Sequence, residues 1–543
     1  MDVILGIIIL IVMIVIGVSI PFAFGVAMIY YYFLMGGSPA TTISVGFSQL
    51  NSLVLLAIPM FVIAGGIIEK GKLGDALVGF IDMFIGHIKG GLGAVSVIAS
   101  AVFGAITGSC AATLSCIGSV MMPKLRKAGY DDGFATALLV NAGPLGLLIP
   151  PSADQILYAW SAGESVLACF LSTVIPGIIL AILLCIINLI YAGRSTTVVA
   201  QERVKIFSAA GGQRVKVGIP ALLFPVIILG GIYGGFMTPT EAAAISIIYA
   251  IPVGIYIYKG MKWRDLKSIF IETGTTTGVI MVMLFVIMIV ARNFTMAGVP
   301  DILKNALLSV SDNKYVILLM CNIFLVIIGM LMDDVSGMLL CTPLLLPLMK
   351  EIGIDPIHFA AIIGVNLGMG NITPPTAPLL YIGCRLTGTP LNQVMKPTLV
   401  MLFGAWLPTL LLTTYIPQIS LFLPSLFGFV YYFFSFPPEG SAGSDAGRPF
   451  FFIFFVSSFP YHLLHIVSFA STASCRFLHI FSPLSSSPSH PSVRSSMDAT
   501  IFFTCSPETA RLPKGRMAKA MSFMGLSSAA VRLELIFPQI TQR

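Results

Sequence analysis

Apolar runs of 18 or more residues recur along this chain, and nothing else in the sequence restricts its fold as strongly. Only 10% of its 543 residues are charged and 57% are hydrophobic, with a mean hydropathy of +0.97. A soluble domain carries roughly 25% charged residues, so an ordinary cytosolic enzyme and a disordered chain are both excluded. The net charge of +7 is scattered through short loops, not gathered on one face, which excludes a nucleic-acid partner. The expected class is an all-α polytopic protein in a lipid bilayer. A transmembrane β-barrel would show weak alternation over short segments instead. The nine cysteines stand singly and read as small core residues. The first apolar stretch, Val3–Ile16, lacks a basic leader and is expected to be a retained membrane helix.

Crossing segments are expected at 3–16, 22–35, 47–69, 133–158, 165–193, 217–235, 241–258, 277–297, 357–383 and 398–422. Two further apolar stretches, 91–123 and 315–349, are interrupted by small and polar residues at Ile106–Thr113 and Met332–Gly337. The halves beside each break run to about 15 residues, or roughly 22 Å, against a hydrocarbon core near 30 Å. Each stretch therefore reads as a re-entrant helical hairpin, tolerable only where its tip is buried in protein or lines a wet cavity.

The chain also repeats itself. Pro123, Arg126, Gly129 and Asp131 align with Pro347, Lys350, Gly353 and Asp355 at an offset of 224. Pro150-Pro151-Ser152-Ala153 aligns with Pro374-Pro375-Thr376-Ala377 at the same offset, Asn141 falls one residue out of register from Asn366, and Pro21 pairs with Pro239. Each unit then holds five crossings and one hairpin. An odd number of crossings flips the second unit, so two inverted repeats are expected: 1–193, with its hairpin near 91–123, and 217–428, with its hairpin near 315–349. Between them, 194–216 carries Arg194, Arg203, Lys205, Arg214 and Lys216 against Glu202, which marks a cytoplasmic linker. Counting crossings from it places both termini in the periplasm. Beyond residue 428 the composition shifts: 429–543 holds Phe450–Phe455 and the Ser/Pro-rich run Ser482–Ser492, without helical or strand periodicity. That extension reads as foreign or out of frame, or else as a specialised domain, and is kept outside the fold.

Chemistry concentrates where the apolar pattern fails. Asn141–Ala153 and Asn366–Pro378 place Gly, Pro, Asn and Ser/Thr in the middle of apolar spans. Proline removes a donor and frees a carbonyl one turn back, and glycine lets the backbone leave the helix. Unwound carbonyls and hydroxyls suit Na⁺, and half-helix N-termini suit a carboxylate. The alternative is a pair of proline kinks serving packing alone. Asp333 and Asp334 at the second hairpin break are either cation or gating groups, or helix caps at interfacial water. No GxSxG, HExxH or P-loop is present, so neither those hydrolytic motifs nor ATP driving has support.

Phe103–Gly118, Gly129–Ser152, Thr238–Ala244 and Asn366–Pro378 together resemble the large membrane subunit of tripartite ATP-independent periplasmic (TRAP) transporters, the DctM-like family. The resemblance spans essentially all of 1–428. It implies a non-enzymatic permease of the bacterial inner membrane, working with a small DctQ-like membrane subunit and a periplasmic solute-binding protein. It further implies uptake of an organic acid (a dicarboxylate, sialic acid or similar carboxylate) driven by a Na⁺ gradient through an elevator-type motion, with Na⁺ as coupling ion and no other cofactor. The alternative is an ion-coupled carboxylate transporter that needs no binding protein. By motif, the ion- and substrate-binding positions fall on Thr107, Gly108, Ser109, Asn141, Gly143, Pro150 and Ser152 in the first unit. In the second they fall on Asp333, Asp334, Ser336, Asn366, Gly368, Gly370, Thr373 and Thr376.

Overall fold

The structure is a computed structural model and describes residues 2–35, 39–200, 209–311, 313–374 and 376–430. Nearly all of the atypical extension lies outside the described residues. Every regular element is helical: α1 (Asp2–Val15), α2 (Ile20–Met35), α3 (Pro39–Leu50), α4 (Ala57–Lys70), α5 (Leu73–Ile85), α6 (Gly91–Thr107), α7 (Cys110–Lys127), α8 (Asp132–Ala142), α9 (Leu145–Leu148), α10 (Ala153–Ala162) and α11 (Val166–Arg194) precede the linker. After it come α12 (Ala209–Tyr233), α13 (Pro239–Pro252), α14 (Trp263–Met296), α15 (Val299–Val310), α16 (Lys314–Leu331), α17 (Asp334–Glu351), α18 (Pro356–Gly370), α19 (Pro378–Thr387), α20 (Leu391–Met401), α21 (Leu407–Tyr415) and α22 (Pro417–Leu426). The Thr-Pro-Thr-Glu motif starts α13 with a reciprocal cap: the Glu241 backbone N–H donates to the Thr238 hydroxyl and the Thr238 backbone N–H to the Glu241 carboxylate.

Ten crossings were expected. Among the described residues six single helices are long and apolar enough to cross a membrane, or seven if the bent pair Asp132–Leu148 and Ala153–Ala162 counts as one span. Segments such as α1 and α18 fall short of that length. The hairpin arms are also longer than the sequence suggested. With 18 residues α16 reaches about 27 Å, because helical geometry continues to the break itself. Membrane burial of the outer faces follows from their composition: Ile178, Ile182 and Ile186 make an exposed apolar stripe at helical spacing on α11.

The offset of 224 carries through to structure. It maps α7 onto α17 end to end, and Asp131 and Asp355, both N-caps, onto one another. Gly129 and Gly353 share a left-handed conformation, at φ +83° and +73°. The two units also touch reciprocally. In one direction α7 packs on α19 and α8 on α20; in the other α17 packs on α10 and α18 on α11. The Arg126 guanidinium reaches across to the Thr387 carbonyl at 2.7 Å, while its counterpart Lys350 faces Glu164 of the first unit at 3.9 Å. Contacts that recur with the partners exchanged are what a two-fold axis produces.

Candidate solute and ion site at the hairpin tips

The first hairpin turns at Gly108, whose φ of +60° is left-handed and natural for glycine. A Cβ there would also come within 2.8 Å of the Pro151 carbonyl oxygen, and the Ala153 N–H donates to the Gly108 carbonyl at 3.4 Å. The tip therefore rests on the unwound stretch between α9 and α10, which contains Pro150 and Ser152. Ser109 caps α7, its hydroxyl accepting from the Ala112 N–H at 3.4 Å. Thr107 and Thr113 share a hydroxyl contact at 3.3 Å. The Ser152 hydroxyl is fully buried with no partner.

The second hairpin turns at Met332–Asp333. The Ser336 hydroxyl donates to the Asp333 carboxylate at 2.5 Å and lies 3.0 Å from the Met283 sulfur of α14. Thr376, although exposed, donates to the Met330 carbonyl and so ties this hairpin to the second unwound stretch. The Thr373 hydroxyl turns back onto the Met369 carbonyl at 2.6 Å.

Asn141 and Asn366 adopt one arrangement in both units. Each side-chain N–H₂ donates to the carbonyl one turn earlier, Ala137 and Ile362 respectively, at 2.8 Å. Each amide oxygen is buried and without a partner. Asn366 also donates to Asn322 of α16 at 2.9 Å, and Asn322 donates to Thr414 at 3.1 Å. Leaving a buried acceptor unsatisfied costs about 1–3 kcal/mol.

The expected glycines behave differently. Gly143 faces Leu379, Gly368 faces the Trp406 ring, and a Cβ on Gly370 would come within 2.6 Å of the Gly329 backbone. These three positions let helices approach. Of the side chains expected to bind, Ser109, Ser152, Asp333, Thr373 and Thr376 lie at the tips and unwound stretches, whereas Asn141 and Asn366, expected to begin unwound segments, lie inside α8 and α18, which stay helical to Ala142 and Gly370.

Cys110 and Asp154 had not been singled out from the sequence. Cys110 and Asp334 are equivalent by the offset, the first residues of α7 and α17. Asp154, in the first turn of α10, is only 2% exposed and has a carboxylate oxygen without a partner. The signal was present as an asymmetry, since the position matching Asp154 in the second unit is Pro378.

The family described as "Tripartite ATP-independent periplasmic transporter, DctM component" matches residues 7–419. The chain is 38% identical to a Salmonella typhimurium protein called YgiK over 418 residues, 76% of this chain and 94% of that one. It is 34% identical to the C4-dicarboxylate TRAP transporter large permease protein DctM of Pseudomonas aeruginosa, over 70% of this chain and 88% of the relative. The fold is similar to the crystal structure of the Alcanivorax borkumensis YdaH transporter, with a TM-score of 0.51 at 15% identity, covering 70% of this chain and 89% of that one.

Proposed function

Because the chain belongs to the DctM component family of tripartite ATP-independent periplasmic transporters, we propose that it imports an organic acid (a dicarboxylate, sialic acid or a similar carboxylate) delivered by a periplasmic binding protein and driven by a Na⁺ gradient. Members of this family are transporter permeases, not enzymes, and act with a small membrane subunit and a periplasmic binding protein. The observation that carries the ion coupling is the matched pair of buried, unpartnered amide oxygens on Asn141 and Asn366, one beside each hairpin. Hard oxygen acceptors near the C-terminal ends of α8 and α18 are suited to Na⁺, and half-helix N-termini to the solute carboxylate.

The reciprocal contacts between the units support a two-fold relation, which becomes an inversion if each unit crosses the membrane five times as read from the sequence. The hairpins α6–α7 and α16–α17, with α8–α11 and α18–α22, form the carrying body. Helices α1–α5 and α12–α15 form the frame. The carrying body slides in the bacterial inner membrane with both chain termini on the periplasmic side.

The test is radiolabelled uptake into proteoliposomes containing the chain and its small subunit. Accumulation that needs both an inward Na⁺ gradient and the binding protein is expected. Equal accumulation with K⁺ in place of Na⁺ would overturn the coupling, and uptake without the binding protein would favour a self-sufficient carboxylate carrier.

A further inference from the structure

Two lysines hold a backbone conformation that glycine adopts freely and other residues rarely. Lys72, in the turn between α4 and α5, lies at φ +62°, and Lys259, in the turn between α13 and α14, at φ +52°. The other residues in this conformation among the described ones are glycines. A residue held there against its preference points to a use for its side chain. The repeat supplies an internal comparison. Lys72 immediately precedes α5, and its counterpart before α15 is Gly298, at φ +69°. The same left-handed turn is made with glycine in the second unit and with lysine in the first.

The two lysine turns are in contact. A Cβ on Gly260 would come within 2.5 Å of the Gly71 carbonyl oxygen and 3.0 Å of the Lys72 side chain, and one on Gly254 within 3.5 Å of the Gly71 backbone. The junction runs on into the start of α14, which adds Lys262, Arg264 and Lys267. All five cations are exposed, and none belongs to an ion pair found among the described residues. Asp265, the acid among them, is spent on the helix start, where it accepts from the Lys262 backbone N–H at 2.7 Å. Tyr256, Ile257 and Trp263 stand exposed beside the cations. Unpaired cations bordered by aromatic and aliphatic side chains fit a phosphate ester that carries acyl chains. We infer that this junction binds an anionic phospholipid, with its phosphate held by Lys72 and Lys259 and an acyl chain laid along Tyr256, Ile257 and Trp263. On the topology argued above, the lipid belongs to the cytoplasmic leaflet. It ties the α4–α5 turn of the first unit to α13 and α14 of the second, and so fastens the two halves of the frame while the hairpins move. The site is separate from those proposed for the solute and the ion.

The test is thermal unfolding of the purified full chain in detergent micelles doped with phosphatidylglycerol or with phosphatidylcholine of the same acyl chains. Glycerol phosphate and inorganic phosphate are run alongside. Phosphatidylglycerol is expected to stabilise the chain more than phosphatidylcholine does. The half-saturating amount should rise about fivefold in Lys72→Gly and likewise in Lys259→Gly, the scale of one cation at a membrane surface. Both glycine variants should melt in phosphatidylcholine no lower than the unaltered chain, because glycine accepts the left-handed turn. Lys72→Asn, which also tolerates that conformation, removes the same charge with less added flexibility. Lys127→Gln removes an exposed cation from the first hairpin and should leave the lipid preference unchanged. Equal stabilisation by both lipids, or the same stabilisation by either soluble phosphate, would overturn the site. So would a preference that survives in the Lys72 and Lys259 variants, or one lost equally in Lys127→Gln. The lipid comparison on the unaltered chain stands even if a variant does not fold.

Discussion

Replacing Asn366 by alanine separates the structural role of this residue from its role toward the ion. Its N–H₂ makes two buried hydrogen bonds, to Ile362 at 2.8 Å and Asn322 at 2.9 Å. The Ile362 carbonyl keeps its helical partner when the side chain is removed, whereas the Asn322 amide oxygen retains only a long contact from the Thr414 hydroxyl at 3.4 Å. The loss is therefore mainly one buried hydrogen bond with its acceptor left wanting, about 1–3 kcal/mol. It appears in K⁺ and Na⁺ alike. The amide oxygen makes a second contribution that appears only with Na⁺. Saturation at 100 times the dissociation constant stabilises a protein by about 2.7 kcal/mol, and losing a ligand shrinks that increment. Melting of the purified chain and of Asn366→Ala in Na⁺ and in K⁺ measures both quantities. The expected outcome is a lower melting temperature in K⁺ and a reduced gain on moving to Na⁺. A variant that is less stable yet keeps the full Na⁺ gain would refute the ion assignment and leave Asn366 as a packing residue.

Other outcomes follow from the same geometry. Gly370→Ala places a methyl group 2.6 Å from the Gly329 backbone, so α16 and α18 must part; a loss of about 1–3 kcal/mol is expected in denaturation, and an unchanged midpoint would contradict the close approach. With cysteines at 350 and 216, a membrane-impermeant maleimide added from the periplasm should label the first and spare the second, whereas the reverse pattern would overturn the inverted arrangement. A stop after Gly428 should leave insertion and transport intact and raise the yield of folded protein; loss of transport only in the shortened chain would show that 429–543 is a working domain.

The hairpin breaks were legible because small and polar residues interrupt otherwise apolar runs. The turns fall at Gly108–Ser109 and Met332–Asp333, inside the intervals read from sequence. Helices α5 and α15 were not legible that way. They are amphipathic and carry Asp75 and Asp82, and Asp301 and Lys304, so a search for unbroken apolar runs passes over them. For the same reason α14 was placed from 277 although it begins at Trp263: its first turns hold Arg264, Asp265, Lys267 and Glu272, the last paired with Lys70 of α4. At the site, matching residues between the repeats found both asparagines but hid Asp154, which matters because its counterpart differs.

The motion of the hairpins past the frame is tested most directly where α15 meets the base of the second hairpin. Lys304 and Glu351 pair there at 2.8 Å, and both side chains are partly exposed and away from the hairpin tips. Cysteines at both positions, joined by a short bismaleimide in reconstituted protein, should abolish Na⁺-driven uptake, while each single-cysteine variant treated identically stays active. Undiminished uptake by the fully cross-linked protein would contradict a carrying body that slides against its frame.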